Sequence, residues 1–175
     1  MAEAIYLRPL KPEDIDETYL SWFRDEEVTT FLEARNITRD DAIAHLEAGR
    51  AAKTYMVYAI IHAQSGTHVG NLKLGPVNWK HGWGDCITVI GRRDFWGRGI
   101  ATAAIREGIR IAFEELGLRR LSAGIAEGNH GSVTAYTRAG FVIEGRRNGQ
   151  CIVNGEVRDL ILIGCFNPRY FPDAT

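Results

Sequence analysis

Phe95-Trp96-Gly97-Arg98-Gly99-Ile100-Ala101-Thr102 stands where one periodicity ends and another begins. Before it, Cys86 to Gly91 (CITVIG) is a nearly continuous apolar run, as expected of a strand covered on both faces. After it, Ile105, Ile109, Ala112, Phe113 and Leu116 recur at helical spacing, with Arg106, Glu107, Arg110 and Glu114 filling the other faces. Gly117 is a natural residue to stop that helix. Arg120 to Ala126 then reads as a fifth strand, so the octet lies inside a strand–loop–helix–strand unit. The first turn of a helix leaves backbone N–H groups unpaired and favours negative charge. Glycines let a phosphate approach those amides, Arg98 can add charge, and Thr102 can add a hydroxyl. Two readings stand on the octet alone: a diphosphate cradle, or a tight glycine turn without a ligand. A P-loop is excluded, because G-x-x-x-x-G-K-[ST] is absent. A dinucleotide fingerprint fits poorly, with Thr102 at its third glycine and Leu116-Gly117-Leu118 where an acidic residue belongs.

On the N-terminal side, Ala4 to Leu10 reads as a first strand ended by Pro12. Asp14 to Arg24 and Asp40 to Ala48 have helical composition, with Thr38 as N-cap of the second, and Glu26 to Glu33 is a short helix between them. Thr54 to His62 and Val69 to Val77 are strands joined across Gln64-Ser65-Gly66. On the C-terminal side, Ser132 to Arg138 is a short helix ended by Gly140, and Phe141 to Glu144 a sixth strand. Cys151 to Val153 and Val157 to Ile163 flank Asn154-Gly155, a strong hairpin signal. The expected architecture is α+β, with a central mixed, mostly antiparallel sheet of six to seven strands flanked by about four helices. No linker or repeat divides residues 1–175, so a single domain is expected.

The 175 residues carry a formal net charge of −1, which advertises neither nucleic acid nor an anionic membrane as a partner. Arg92, Arg93 and Arg98 cluster locally, which suits a small anionic ligand better than a polymer. Cys86, Cys151 and Cys165 have no CxxC spacing, and two of them sit in apolar runs where thiols pack as small hydrophobes. The N-terminus has no signal-peptide pattern, and no apolar run approaches the roughly 18 residues that span a bilayer. Asn36-Ile37-Thr38 matches a glycosylation sequon by chance. A cytoplasmic, reduced protein is expected. His45, His62, His68 and His130 show no ligand spacing, so no metal is expected.

A second block sharpens the first. Asn129, Ser132, Tyr136 and Gly140-Phe141 fall in the register of a motif that follows the fifth strand, and Trp96-Gly97-Arg98-Gly99-Ile100-Ala101 matches Q/R-x-x-G-x-G/A except at its first position. Together the two blocks resemble the GNAT N-acetyltransferase superfamily. The resemblance is closest to the branch typified by ribosomal-protein and polyamine acetyltransferases. It runs from Tyr6-Leu7-Arg8-Pro9 to the Val153-Asn154-Gly155-Glu156 hairpin. Trp96 departs from the Gln or Arg of the motif, and Gly91 stands where the family usually has a larger apolar residue at the acyl end.

The resemblance implies acetyl-CoA as co-substrate. Val89, Ile90 and Gly91 would pair their backbone with its pantetheine arm. Trp96, Gly97, Arg98, Gly99, Ile100, Ala101 and Thr102 would hold the diphosphate, and Asn129 would hydrogen-bond pantetheine. Ser132 is a ligand contact or the N-cap of its helix. Tyr136 would protonate the leaving thiolate as general acid. Asp85, eleven residues before Trp96, matches the position of a glutamate base in some histone acetyltransferases, with Glu33 and His81 as alternatives. No cysteine is paired with a histidine as a nucleophile, so direct transfer in a ternary complex is expected. The acceptor would be a primary amine: a small amine, an amino sugar or a protein N-terminus, met by Phe31, Glu33 and Arg35. A homodimer is compatible with the sequence. The rival reading is a catalytically silent acyl-CoA-binding or sensing module.

Overall fold

The computed structural model describes residues 3–172. Seven strands form one sheet: β1 (Ile5–Pro9), β2 (Met56–His62), β3 (His68–Asn78), β4 (Trp83–Ile90), β5 (Arg120–Ala126), β6 (Val142–Val153) and β7 (Glu156–Phe166), in spatial order β1-β2-β3-β4-β5-β7-β6. All neighbours are antiparallel except β4 and β5, which are parallel and joined through the crossover helix α4 (Ile100–Arg110). Helices α1 (Glu17–Trp22), α2 (Glu26–Thr29) and α3 (Arg39–Ala52) precede β2, and α5 (His130–Ala139) follows β5. The expected class holds, with seven strands and five α-helices rather than about four.

Local chemistry sets these limits. Thr38 accepts from the Asp41 amide at 3.2 Å while the Asp41 carboxylate accepts from the Thr38 amide at 3.1 Å, a capping box that starts α3. The expected helix from Asp14 to Arg24 is broken. Pro12–Asp14 makes a 3₁₀ turn, and Asp16 then caps α1 by accepting from the Tyr19 amide. Asp25 caps α2 similarly, and that helix ends at Thr29, short of the expected Glu33. The long helix widens after Arg110 into a π turn over Ile111–Glu115, which resets its apolar stripe before Gly117.

Two further expectations are corrected. Phe141 to Glu144 and Cys151 to Val153 are ends of the same strand, β6, which runs through two bulges that hydropathy does not reveal. β4 begins at Trp83, and its apolar run is not covered on both faces, since Ile87 is exposed. The larger core lies between the sheet and the α4–α5 layer, around Leu72, Leu74, Cys86, Ile105, Leu121 and Tyr136. A second, around Leu10, Ile15, Trp22, Leu46 and Ile61, fills the opposite face under α1 to α3.

Candidate active site

β4 and β5 pair only from Trp83–Asp85 to Arg120–Ser122. Past that point β4 continues against β3 and β5 against β7, so the two parallel strands part and leave a cleft in the sheet. The cleft is the inner end of a groove of about 770 Å³. One wall is Thr88, Val89 and Ile90 of β4. The glycine loop and first turn of α4 form a second, α5 a third, and the α2 region a fourth.

Gly97 and Gly99 hold φ of 74° and 76°. These left-handed values cost little only for glycine. A Cβ at Gly97 would touch nothing within 4 Å, so backbone conformation requires the glycine there. Gly99 is the N-cap of α4 and has no side chain to cap it, and the first-turn residues Ile100, Ala101 and Thr102, whose amides have no intrahelical acceptor, line the groove. Trp96, the departure from the motif, donates its indole N–H to the Ile90 carbonyl at 2.9 Å. That bond ties the loop to the end of β4 and occupies one of the backbone acceptors expected to meet pantetheine.

Asn129 caps α5, accepting from the Ser132 amide at 3.2 Å. The cap is therefore Asn129, and Ser132 sits in the first turn; both line the groove. Tyr136, buried on the same helix, donates its hydroxyl to the Cys86 carbonyl at 2.7 Å, just past the last β4–β5 pair. Burial, and then the neighbouring Cys86, hold the phenol pKa well above its ordinary value. The hydroxyl stays protonated at neutral pH, in the state a proton donor needs.

Other expected residues lie elsewhere. Gly91 leaves the groove and packs under Trp22, whose ring would lie 2.0 Å from a Cβ at that position. Arg98 turns away to Glu3, at 3.2 Å, and to the face of Phe95. Glu33 and Arg35 are exposed outside the groove lining, whereas Phe31 is part of it. Asp85 accepts from the Ser122 hydroxyl at 2.8 Å. Strand alternation puts it with Ile87 and Val89 on the α1–α3 face, opposite the face on which Cys86 meets Tyr136. On that face burial lowers the pKa of Lys73, and the charge of Asp85 partly restores it.

Sequence reasoning placed the site between Asn129 and Tyr136 without singling out His130 or Thr134, and missed Arg138; all three line the groove from α5. Their i, i+4, i+8 spacing marks one helix face and was the available signal. It also missed Glu27, Val28, Thr30 and Leu32, which carry no periodic signal because α2 is a single turn.

The acetyltransferase (GNAT) domain family matches residues 4–142. The chain belongs to the GNAT acetyltransferase family. Among similar GNAT proteins, a provisionally named ribosomal N-acetyltransferase of Bacillus subtilis is 44% identical over 69 residues, which is 39% of this chain and only 38% of that relative's length. The spermidine N(1)-acetyltransferase of Escherichia coli K12 is 22% identical over 98% of this chain and 91% of its own. A crystal structure of spermidine N-acetyltransferase from Vibrio cholerae, in complex with CoA and spermine, superposes with a TM-score of 0.85 at 19% identity, covering 95% of this chain and 98% of that one. At that identity the likeness is one of fold. Among the described residues no helix is long and apolar enough to cross a membrane.

Proposed function

We propose that this protein transfers an acetyl group from acetyl-CoA directly to a primary amine within a ternary complex. The observation that carries the reading is the continuity of the groove: amides and glycines at one end, the exposed edge of β4 along its length, and a protonated, buried Tyr136 where the strands part. Such a groove suits a long, flexible, anionic acyl carrier, because backbone edges and first-turn amides recognise its arm and diphosphate without a shaped pocket. When bound, the carrier supplies a thioester whose sulfur leaves as a thiolate.

The chain's own residues divide the work. The amides of Ile100, Ala101 and Thr102 hold the diphosphate, joined by Gly97 and Gly99 as conformational necessities. Val89 offers backbone to the arm. Asn129, with Oδ1 committed to its helix cap, has its amide nitrogen to offer as donor. Tyr136 gives its proton to the leaving sulfur by exchanging the Cys86 carbonyl for it, a short rotation of one hydroxyl. Asp85, on the other face of the sheet at the base of the cleft, accepts the amine proton through water. Arg98 and Gly91 act in the scaffold: one restrains the loop, the other admits Trp22. The acceptor enters past Phe31. One relative is named a spermidine acetyltransferase and another a ribosomal N-acetyltransferase, names that support an amine acceptor such as a polyamine or a protein N-terminus.

The test is a panel of polyamines, amino sugars and N-terminal peptides with acetyl-CoA, reading released thiol. Acceptor-dependent thiol release supports the reading. Tight acetyl-CoA binding with no turnover on any acceptor favours the silent sensing module.

A further inference from the structure

An acceptor with several ammonium groups needs a base for the amine that reacts and a free carboxylate for the one that does not. Asp85 is the proposed base. The carboxylates around it and along the groove are already answered by arginines. Among the described residues that line the groove, Glu27 is the one carboxylate, and Arg93 lies 2.9 Å from it. Arg120 holds Glu144 at 2.6 Å, and Arg146 holds Glu127 at 2.7 Å and Asp159 at 3.3 Å.

The sheet face that carries Asp85 is flanked by cations. Leu72 and Leu74 point into the core under α4 and α5, so Lys73 between them points to the opposite face, which is that of Asp85. Lys73 pairs with Ile87, two residues along β4 from Asp85. Diagonal neighbours of this kind are within reach of a long side chain. The Lys73 ammonium lies 5.2 Å from the centre of the Tyr55 ring. Tyr55 packs beside Gly75, where an added Cβ would lie 2.6 Å from the Tyr55 Cβ. Leu74 pairs with Cys86, so Gly75, the next residue on β3, is level with Asp85. Burial works against the Lys73 charge and Asp85 supports it. On the other flank, Arg120 shares a face of β5 with Ser122, whose hydroxyl donates to Asp85 at 2.8 Å.

We infer that the acceptor is an amine with no second ammonium near the one that reacts, and that Lys73 is the residue that turns polyamines away. The inference rests on the acetyl-transfer reading, with Asp85 meeting the acceptor amine. One incoming cation is attracted by Asp85. A second on the same molecule meets Lys73 or Arg120, with no free carboxylate to offset the repulsion. A monoamine or a chain's α-amine presents no such charge.

The test offers acetyl-CoA with matched acceptors that differ by one charge: pentylamine and cadaverine, Ala-norleucine-Gly and Ala-Lys-Gly, glucosamine and a diamino analogue of it. Counted per amine, the wild type should favour the singly charged member in kcat/KM by about tenfold, the scale of one like-charge contact near a protein surface. Added salt should shrink that preference by screening the repulsion. Lys73→Met keeps the apolar stem and should bring the ratio toward one, and Lys73→Glu should reverse it. Melting profiles show whether the variants fold, and the charge and salt comparisons on the wild type stand without them. Equal or better use of the doubly charged members by the wild type overturns the proposal. So does turnover confined to polyamines, a preference indifferent to salt, or a folded Lys73→Met that keeps the wild-type ratio. No thiol release with any amine instead overturns the acetyl-transfer reading, and this inference with it.

Discussion

The Tyr136 hydroxyl donates to the Cys86 carbonyl at 2.7 Å, one residue beyond the last pair that joins β4 to β5. A side chain from α5 thus takes over where the sheet's own bonds stop. The same bond that closes the cleft holds the proposed proton donor in place. Replacing Tyr136 by Phe keeps the ring and removes the proton. Single-turnover acetyl transfer should fall by about 10²–10⁴-fold with little change in acetyl-CoA affinity. The orphaned carbonyl should also cost about 1–3 kcal/mol of stability, read as a lower urea midpoint. Because the folded phenol pKa is raised, its contribution is intact below the unfolded value, near 10, and is lost as pH climbs toward the folded value. Alkaline loss of stability should therefore be shallower in Tyr136→Phe. An unchanged single-turnover rate removes Tyr136 from the chemistry.

Gly99→Asp should weaken acetyl-CoA binding far more than it weakens pantetheine analogues lacking the diphosphate. The substitution adds a negative charge at the first-turn amides and forces a side chain into a φ of 76°. Titration calorimetry with both ligands separates the causes, and equal losses would mean the loop has simply collapsed.

For Asp85, the informative change is Asp85→Asn, which keeps a partner for the Ser122 hydroxyl. If Asp85 accepts the amine proton, kcat/KM for the amine should drop most near neutral pH and recover as pH approaches the amine's own pKa, where free amine is abundant. A pH-independent loss, with a lower melting temperature, assigns Asp85 to holding β4 against β5.

Gly91→Ala should destabilise the fold by about 1–3 kcal/mol, since a Cβ would lie 2.0 Å from the ring of Trp22, which is buried and has little room to yield. Chemical denaturation measures this, and Trp22→Phe in the same chain should return part of the loss. Selectivity between acetyl-CoA and longer acyl carriers should stay the same. A change in selectivity would put Gly91 back at the acyl end.

Thiol labelling at pH 8 should modify Cys151 alone in the folded protein. Burial pushes Cys86 up to about 12 and Cys165 up to about 11, so neither is thiolate there or open to reagent. Rapid labelling of all three would show that the core opens on the reagent's timescale.

Much of the site was legible because it depends on local backbone chemistry. Gly97 and Gly99 announce positive φ whatever surrounds them, and Asn129 and Thr38 announce helix starts. The register of Asn129, Ser132, Tyr136 and Gly140-Phe141 came from the family resemblance, which helical spacing alone does not supply. What was misread depends on neighbours. Gly91 looked like part of the acyl wall because nothing local says that Trp22, far away in sequence, packs over it. Arg98 looked like a phosphate ligand because nothing local reveals Glu3 beside it. Glu33 and Arg35 were grouped with Phe31 by proximity in the chain, but only Phe31 lines the groove.

By itself, then, the sequence determined the order of strands and helices, the glycine loop at the head of α4 and the family. Periodicity and turn chemistry act over a few residues and are written in them directly. Only the tertiary structure decided that β4 and β5 part after Asp85 and Ser122, that Asp85 and Tyr136 lie on opposite faces of the sheet, and that two bulges align the ends of β6. These are matters of register between distant segments. A shift of one residue there reverses which face a side chain meets, and no local pattern records it.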